Sequence, residues 1–179
     1  MGVRKGEWSL VLRVGAYSFL LVLAGVILNI ASEGFFIAEN PPEFLPYFIL
    51  AGAFLSFWTA YFYEKAHKFF GPVKLGFGVG LGGAATLVTL HGVTVLFPHL
   101  GHRILFLAAP CVATVVGLET SGFMSRLIDA RAGRRLFPTI LIFNGLGAVV
   151  AGSAVGLFSE SDGTMIWVSA GAFLLSIFA

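Results

Sequence analysis

The chain has 179 residues, of which 58% are hydrophobic and only 11% charged, and its formal net charge is +2. A soluble domain of this length is closer to half apolar and a quarter charged, so the mean hydropathy of +0.93 excludes an ordinary water-soluble domain. A lipid bilayer must surround most of the chain. The single cysteine, Cys111, excludes an intrachain disulfide.

Six apolar runs follow one another, each close to the roughly 20 residues that a membrane-spanning helix needs. None alternates strictly with period two, which argues against strands. The last run is about 24 Å long as a helix and ends without a polar cap, which favours a chain that continues as the N-terminal half of a longer polypeptide. We predict one all-α membrane domain over residues 1–179, with spans at 10–38, 45–63, 75–97, 104–125, 138–158 and 164–179.

The basic residues predict the orientation of this bundle. All of the eleven Lys and Arg residues except Arg103 fall on one side of a six-span arrangement. Lys and Arg concentrate on the cytoplasmic side of a membrane, so we predict that both termini are cytoplasmic. The most basic connection, before the fifth span, is predicted to be a cytoplasmic loop that contains Arg126, Arg131, Arg134 and Arg135.

The first span carries two candidate polar site residues, Asn29 and Glu33, which lie one helical turn apart and share a face. The third span contains Gly78, Gly80 and Gly83 in a G-x-G-x-x-G spacing. A dinucleotide fingerprint needs a preceding strand and a helix that opens in water, whereas this stretch lies inside an apolar run. Close helix packing through small residues is therefore the better interpretation.

The histidines do not indicate a metal or haem site. His91, in the third span, has no obvious partner on a facing helix for haem ligation, and we expect it to serve in packing or hydrogen bonding. His99 and His102 lie three residues apart in the loop before the fourth span, without a third ligand for zinc. We predict no metal and no cofactor.

The fourth span contains a carboxylate, Glu119, about two turns before the basic loop. A carboxylate at that depth costs a few kcal/mol unless it is protonated, paired or hydrated. Two interpretations stay open. Glu119 lines a cavity, for proton coupling or substrate contact, or it makes a helix–helix hydrogen bond to Thr120, Ser121 or Asn144. Pro110, midway along the same span, is expected to kink the helix.

The fifth span is predicted to start at Phe137 and Pro138, because proline is tolerated in a first helical turn. Asn144 falls near mid-depth, where a lone Asn is more often an interhelical hydrogen-bonding residue than a ligand. Gly152 and Gly156 form a GxxxG pair, which is typical of helix packing.

No catalytic arrangement is evident. The pair Ser121–Gly122 is reminiscent of an intramembrane serine protease, but the fifth and sixth spans offer no His partner. We predict that the protein is not an enzyme and that it has no nucleic-acid partner.

One stretch resembles a known family. Asp129-Ala-Arg131-Ala-Gly-Arg134-Arg135-Leu136-Phe137-Pro138, followed by Asn144-Gly145-Leu-Gly147-Ala148, resembles the junction between the fourth and fifth helices in the nucleotide-transporter-like branch of the major facilitator superfamily. This branch contains the ATP/ADP translocases of plastids and intracellular bacteria and many bacterial relatives.

The resemblance implies a six-helix half of that superfamily in a bacterial inner membrane, partnered by a second six-helix half or by other membrane subunits. It implies transport of a small solute by alternating access, with Glu119, Asn144, Asn29 and Glu33 as candidates for substrate contact or coupling. The nucleotide exchangers carry a Lys in their first helix, whereas residues 14–38 contain none, so no substrate is predicted. The alternative is a transporter-like fold that serves as a non-transporting subunit of a larger membrane complex.

Overall fold

The computed structural model describes residues 6–127, 130–158 and 162–178. Within these ranges the chain is helical, with no β-strand, as the sequence predicts. The elements in chain order are α1 (Trp8–Glu39), a 3-10 turn (Pro42–Phe44), α2 (Leu45–Phe69), α3 (Pro72–Leu96), α4 (Pro98–Leu127), α5 (Ala130–Phe158) and α6 (Asp162–Ser176).

Five of these helices, α1 to α5, are long and apolar enough to cross a membrane. The protein is therefore an integral membrane protein built from a helical bundle. The helix α6 has 15 residues and is about 22 Å long, shorter than the roughly 30 Å hydrocarbon core of a bilayer.

Proline and glycine set several helix boundaries. Asn40 is extended, with φ −118° and ψ 143°, because the residue before a proline avoids the helical conformation. Gly71 is the N-cap of α3, and Pro72 is its first residue. The next helix likewise begins at Pro98, since the missing N–H of proline has no helical partner in a first turn.

The helix α4 begins before the predicted fourth span, which started at residue 104. Because the helix begins at Pro98, His99 and His102 lie on its first turns rather than in a loop. Their side chains, and that of Arg103, therefore project from a fixed backbone near the end of α1.

The start of α5 was also predicted wrongly. The helix begins at Ala130, so Phe137 and Pro138 lie inside it. Ala and Arg are strong helix formers, and they extend the helix through the basic stretch. Pro138 only removes one backbone hydrogen bond there, the bond that would reach the carbonyl of Arg134.

The predicted basic loop is consequently replaced by two helix ends. Arg126 belongs to α4, and the other three arginines belong to the first turns of α5. Arg134 is exposed, whereas Arg135 Nη2 lies 3.0 Å from Glu7 Oε1 and ties α5 to the start of α1. The side chains of Arg126 and Arg131 fall outside the described part of the structure, as does Asp129.

The helix α1 is at the centre of the bundle, where it packs against α4, α5 and α6. Half of the residues in the most apolar stretch of α1 are buried inside the chain, against 6% for the most apolar stretch of α2. The helix α4 packs in turn against α1, α2 and α3, and α3 packs against α6. The largest core cluster includes Leu21, Leu28, Leu87, Leu105 and Phe173.

The glycines predicted to pack helices divide into two groups. A Cβ atom at Gly80 would lie 2.6 Å from Ile177 Cγ1, and one at Gly83 would lie 2.8 Å from Phe173 Cδ1, so both face α6 closely. No atom lies within 4 Å of the position of a Cβ at Gly78, Gly152 or Gly156. The small size of these three residues is therefore not required for packing against the described part of the chain.

Comparably close helix contacts occur at two further glycines, of which Gly147 belongs to the stretch that carries the family resemblance and Gly15 was not singled out from the sequence. A Cβ at Gly147 of α5 would lie 2.8 Å from the carbonyl oxygen of Phe19 on α1, and one at Gly15 of α1 would lie 2.7 Å from Phe143 Cδ2. These two positions explain how α1 and α5 approach each other.

Candidate functional site

The carboxylate of Glu119 is the most buried acidic side chain among the described residues, with 3% exposure. It projects from α4 toward two other helices. The hydroxyl of Tyr17, on α1, donates a hydrogen bond to Glu119 Oε1 at 3.1 Å. The hydroxyl of Tyr63, on α2, donates to Glu119 Oε2. Both carboxylate oxygens therefore have a donor, which offsets part of the cost of placing a charge at this depth.

The three side chains meet because they lie at similar depths on their helices. Tyr63 precedes the end of α2 by about 9 Å, and Glu119 precedes the end of α4 by about 12 Å, at 1.5 Å per residue. Tyr17 lies about 13 Å from the start of α1, which is at the same end of the bundle. We call Glu119, Tyr17 and Tyr63 the carboxylate–phenol cluster.

The helix α3 passes close to the carboxylate–phenol cluster at Gly76. A Cβ at Gly76 of α3 would lie 3.2 Å from Tyr17 Oη and 3.4 Å from Glu119 Oε1. A side chain at this position would push against the two hydrogen-bonded oxygens. The absence of a side chain at Gly76 therefore helps to bring α1, α3 and α4 together at the cluster.

The hydrogen-bond partners proposed for Glu119 from the sequence differ from those in the structure. Thr120 donates instead to backbone carbonyls of its own helix, with 2.9 Å to Val116 O. Asn144 lies on α5, which packs mainly on α1 rather than on α4, and Asn144 Oδ1 is buried with no hydrogen-bond partner among the described residues. The interhelical hydrogen bonds of Glu119 are made by tyrosines, which carry no charge or periodic signal in the sequence.

Asn29 and Glu33 form a separate polar pair. Asn29 Nδ2 donates to Glu33 Oε1 at 3.1 Å, one turn apart on α1. About 18 Å of helix separates Asn29 from Tyr17, so the structure does not bring this pair to the carboxylate–phenol cluster. Asn29 is half-buried, and Glu33 is exposed.

Asn29 lines two adjoining cavities along α1 and α4. The first, of about 290 Å³, extends along the two helices past Gly25, Gly117 and Thr120. The second, of about 300 Å³, lies against α2 and is also lined by Ser32, Glu33, Phe48 and Pro110. The two cavities share Asn29 in their lining, and we call them together the α1–α4 groove.

A second polar cluster joins α1 and α4 at the opposite end of the bundle. Glu39 Oε2 lies 2.8 Å from His102 Nδ1 and 3.4 Å from His99 Nδ1. Next to it, Arg103 Nε donates to Asn40 Oδ1 at 2.8 Å. We call this set the outer cluster, because the basic residues of the sequence predict that this end of the bundle faces outward. The sequence placed these residues on the outer side but did not indicate that they contact one another.

His91 lies against an aromatic side chain of another helix. The His91 ring packs on Trp167 of α6, with ring centroids 5.4 Å apart. Among the described residues, no group of His, Cys, Asp and Glu side chains has the arrangement of a metal site.

Known proteins offer no further guide. No family model, no curated protein and no solved structure matches this chain. A function has to be inferred from the helix arrangement, the carboxylate–phenol cluster and the α1–α4 groove.

Proposed function

We propose that this chain is a secondary-transporter-like membrane domain, which moves a small solute by alternating access with its N-terminus in the cytoplasm. The observation that carries the proposal is the pattern of helix contacts. The helix α1 packs on α5 and α6, and α4 packs correspondingly on α2 and α3. The remaining extensive contacts are those between α1 and α4 and between α3 and α6.

This set of extensive contacts stays the same when α1 is exchanged with α4, α2 with α5, and α3 with α6. An unchanged pattern is expected if the bundle consists of two equivalent units of three helices. Consecutive spans alternate in direction, so the second unit of three runs opposite to the first. Inverted repeats of this kind build many secondary transporters, and 3+3 repeats form each six-helix half of the major facilitator superfamily.

The polar groups inside the membrane support the same proposal. The α1–α4 groove lies between the two helices that are exchanged for each other, and transporter sites form at such repeat interfaces. Glu119 adds an ionisable group at the inner end of these helices, and intramembrane acids commonly serve proton or substrate coupling. We assign Asn29 and Glu33 to the groove and Glu119 to coupling.

A labelling experiment tests whether the groove contains water. Because Cys111 is the only cysteine, a Cys111→Ala background gives single-cysteine variants directly. Asn29→Cys and Gly117→Cys, both in the groove, should react with a membrane-impermeant maleimide. Val149→Cys, which is 66% exposed on α5 but faces lipid in this account, is the matched control and should react slowly. Equal, slow labelling of all three positions would contradict a water-filled groove.

Transport itself is tested in membrane vesicles that contain the full-length protein. A library of small solutes is added to vesicles with an imposed pH gradient and an internal pH dye. For a coupled solute, wild-type protein should dissipate the gradient, and Glu119→Gln should retain solute exchange but lose the proton flux. Identical proton flux in the Glu119→Gln variant would remove Glu119 from the coupling role.

One observation favours a second candidate, a non-transporting subunit of a larger membrane complex. The helix α2 presents a row of exposed aromatic residues to its surroundings, including Phe54, Phe57, Trp58 and Phe62. Such a surface suits contact with spans of another subunit. Stable co-purification with a complex, together with unlabelled groove cysteines and no solute flux, would favour this role.

A further inference from the structure

A deep apolar groove separates α2 from α3 on the lipid-facing side of the bundle. Its volume is about 400 Å³, and it is lined by residues of four helices, among them Thr59, Gly78, Gly82, Val112 and Phe173. The helix α2 packs mainly on α4, and α3 packs on both α6 and α4, whereas α2 and α3 barely contact each other. This leaves the space between them. We call it the α2–α3 groove.

The groove is open to the membrane and is not filled by the chain itself. Gly78 and Gly82 are exposed, and no atom lies within 4 Å of the position where a Cβ would extend from either of them. The lining is almost entirely apolar, with Thr59, Thr86 and Cys111 as its polar or weakly polar side chains. An occupant of this space must therefore be a hydrocarbon or a similarly apolar group.

The length of the groove matches one leaflet of a bilayer. On α3 its lining runs from Leu75 to Thr86, which is about 16 Å of helix. The hydrocarbon core is roughly 30 Å thick, so the groove extends from the α2–α3 connection to about the midplane. This is the depth that one acyl chain of a phospholipid occupies.

Positive charge lies at the end of the groove where a lipid headgroup would sit. Lys74 directly precedes the lining residue Leu75, and Lys65 and Lys68 lie at the end of α2. The only carboxylate between residues 57 and 83 is Glu64, which lies 3.3 Å from Lys68 Nζ. Lysine stems are flexible enough to reach along the interface to a phosphate.

The other two lysines keep their charge available. Lys65 Nζ lies 4.7 Å from the centroid of the Tyr61 ring, a contact that does not neutralise it. No carboxylate of the described ranges pairs with Lys74. The α2–α3 connection is therefore cationic directly beside an apolar, leaflet-deep groove.

We propose that the α2–α3 groove binds one anionic phospholipid of the leaflet at which α2 ends. An acyl chain lies between Gly78, Gly82 and Thr59, and the phosphate contacts Lys74 and Lys65. Basic pockets between spanning helices recognise anionic headgroups in this manner. This lipid site requires only the folded helical bundle, and it does not rest on the proposed transport function.

The test measures lipid binding to the full-length purified protein by native mass spectrometry. The delipidated protein is titrated with phosphatidylglycerol and, separately, with phosphatidylcholine that carries the same acyl chains. Phosphatidylglycerol should bind several-fold more tightly, since only its headgroup has a net negative charge. Equal affinities would overturn the proposal, because they would show that the lysines do not read the headgroup.

Charge variants test the headgroup contact. Lys65→Gln and Lys74→Gln should each weaken phosphatidylglycerol binding about fivefold without changing phosphatidylcholine binding. Arg134→Gln removes an exposed charge on α5 and is the matched control, which should bind as wild type does. A loss of affinity in Arg134→Gln equal to that in the lysine variants would mean that only net charge matters, and would overturn the assignment.

Steric variants test the acyl-chain contact. Gly78→Leu with Gly82→Leu should fill the groove and abolish lipid retention. Gly152→Leu with Gly156→Leu adds the same bulk at equally open glycines on α5 and should leave binding unchanged. Wild-type lipid binding by the groove-filling variant would overturn the proposal.

A soluble anion is the remaining alternative. Inorganic phosphate at millimolar concentration should not displace the lipid if the acyl chain contributes to binding. Displacement by phosphate would assign the lysines to a free anion and would contradict the lipid site.

Discussion

The helices α1 and α4 are tied together at both ends, but by different chemistry. At the end where α1 begins, Glu119 is 3% exposed, and phenols hydrogen-bond to both of its oxygens. At the outer end, the Glu39 side chain is 27% exposed and lies beside two histidines, of which His99 is 88% exposed. His99, Glu39 and Arg103 of the outer cluster reach water, whereas Glu119 is almost completely buried.

This difference in exposure predicts that similar hydrogen bonds contribute differently to stability at the two ends. A buried carboxylate that loses its donors keeps its desolvation cost, whereas an exposed carboxylate regains water. The carboxylate–phenol cluster should therefore govern the stability of the α1–α4 pair, and the outer cluster should adjust it only slightly. The following substitutions test this ranking, all by reversible unfolding of the purified protein in micelles or bicelles.

Glu119→Leu should have the largest effect. It leaves the hydroxyls of Tyr17 and Tyr63 without their carboxylate acceptor, at about 1–3 kcal/mol of unfolding free energy for the buried Tyr17 and less for the half-buried Tyr63. Glu33→Leu removes an exposed carboxylate from α1 and should change stability by less than about 0.5 kcal/mol. A similar loss in the two variants would abolish the distinction between buried and exposed acids.

Gly76→Val should follow. Its side chain would meet Tyr17 Oη and Glu119 Oε1, at 3.2 and 3.4 Å from the Cβ position, and overpacking of this kind costs about 1–3 kcal/mol. Gly78→Val, two residues along the same helix, has open space around it and is the matched control. Equal stability of the two variants would mean that α3 does not pack closely against the cluster.

Tyr63→Phe should have an intermediate effect. The ring stays in place while one hydrogen bond to Glu119 is lost, which should lower the unfolding free energy by about 1–2 kcal/mol. Tyr61→Phe changes a neighbouring tyrosine that is 43% exposed and should be nearly neutral. The assignment of the Tyr63 bond fails if both substitutions are neutral.

Arg103→Gln should have the smallest effect. It disrupts the bond to Asn40 Oδ1 at the hydrated outer end, where an exposed charged contact contributes about 0.2–1 kcal/mol. Arg134→Gln serves as the control for loss of one exposed positive charge. A loss for Arg103→Gln as large as that for Glu119→Leu would reverse the ranking of the two ends.

The sequence predicted the helical membrane bundle well because the apolar composition extends along whole helices. Runs of apolar residues near the length of a span define the helices. The helices α3 and α4 begin at Pro72 and Pro98, whereas the predicted spans began at 75 and 104. The start of α5 was predicted wrongly because Pro138 was read as a boundary. The helix-forming stretch that begins at Ala130 tolerates the proline in the helix interior instead.

The candidate site was only half predictable. Glu119 is visible in the sequence because a charge in an apolar run is rare. Its partners Tyr17 and Tyr63 are not visible, since tyrosine is common near membrane interfaces and their meeting depends on how three helices pack. The grouping of Glu39 with His102 was missed for the same reason, because the contact joins the end of one helix to the start of another.

A double-mutant cycle between Glu119 and Tyr63 tests the central claim most directly. The cycle uses Glu119→Gln, Tyr63→Phe and the double variant, and it compares their unfolding free energies. The account predicts a coupling of about 1–2 kcal/mol, because the bond joins a buried carboxylate to a phenol on another helix. Additive effects of the two substitutions would contradict it, since Glu119 would then not link α4 to α2.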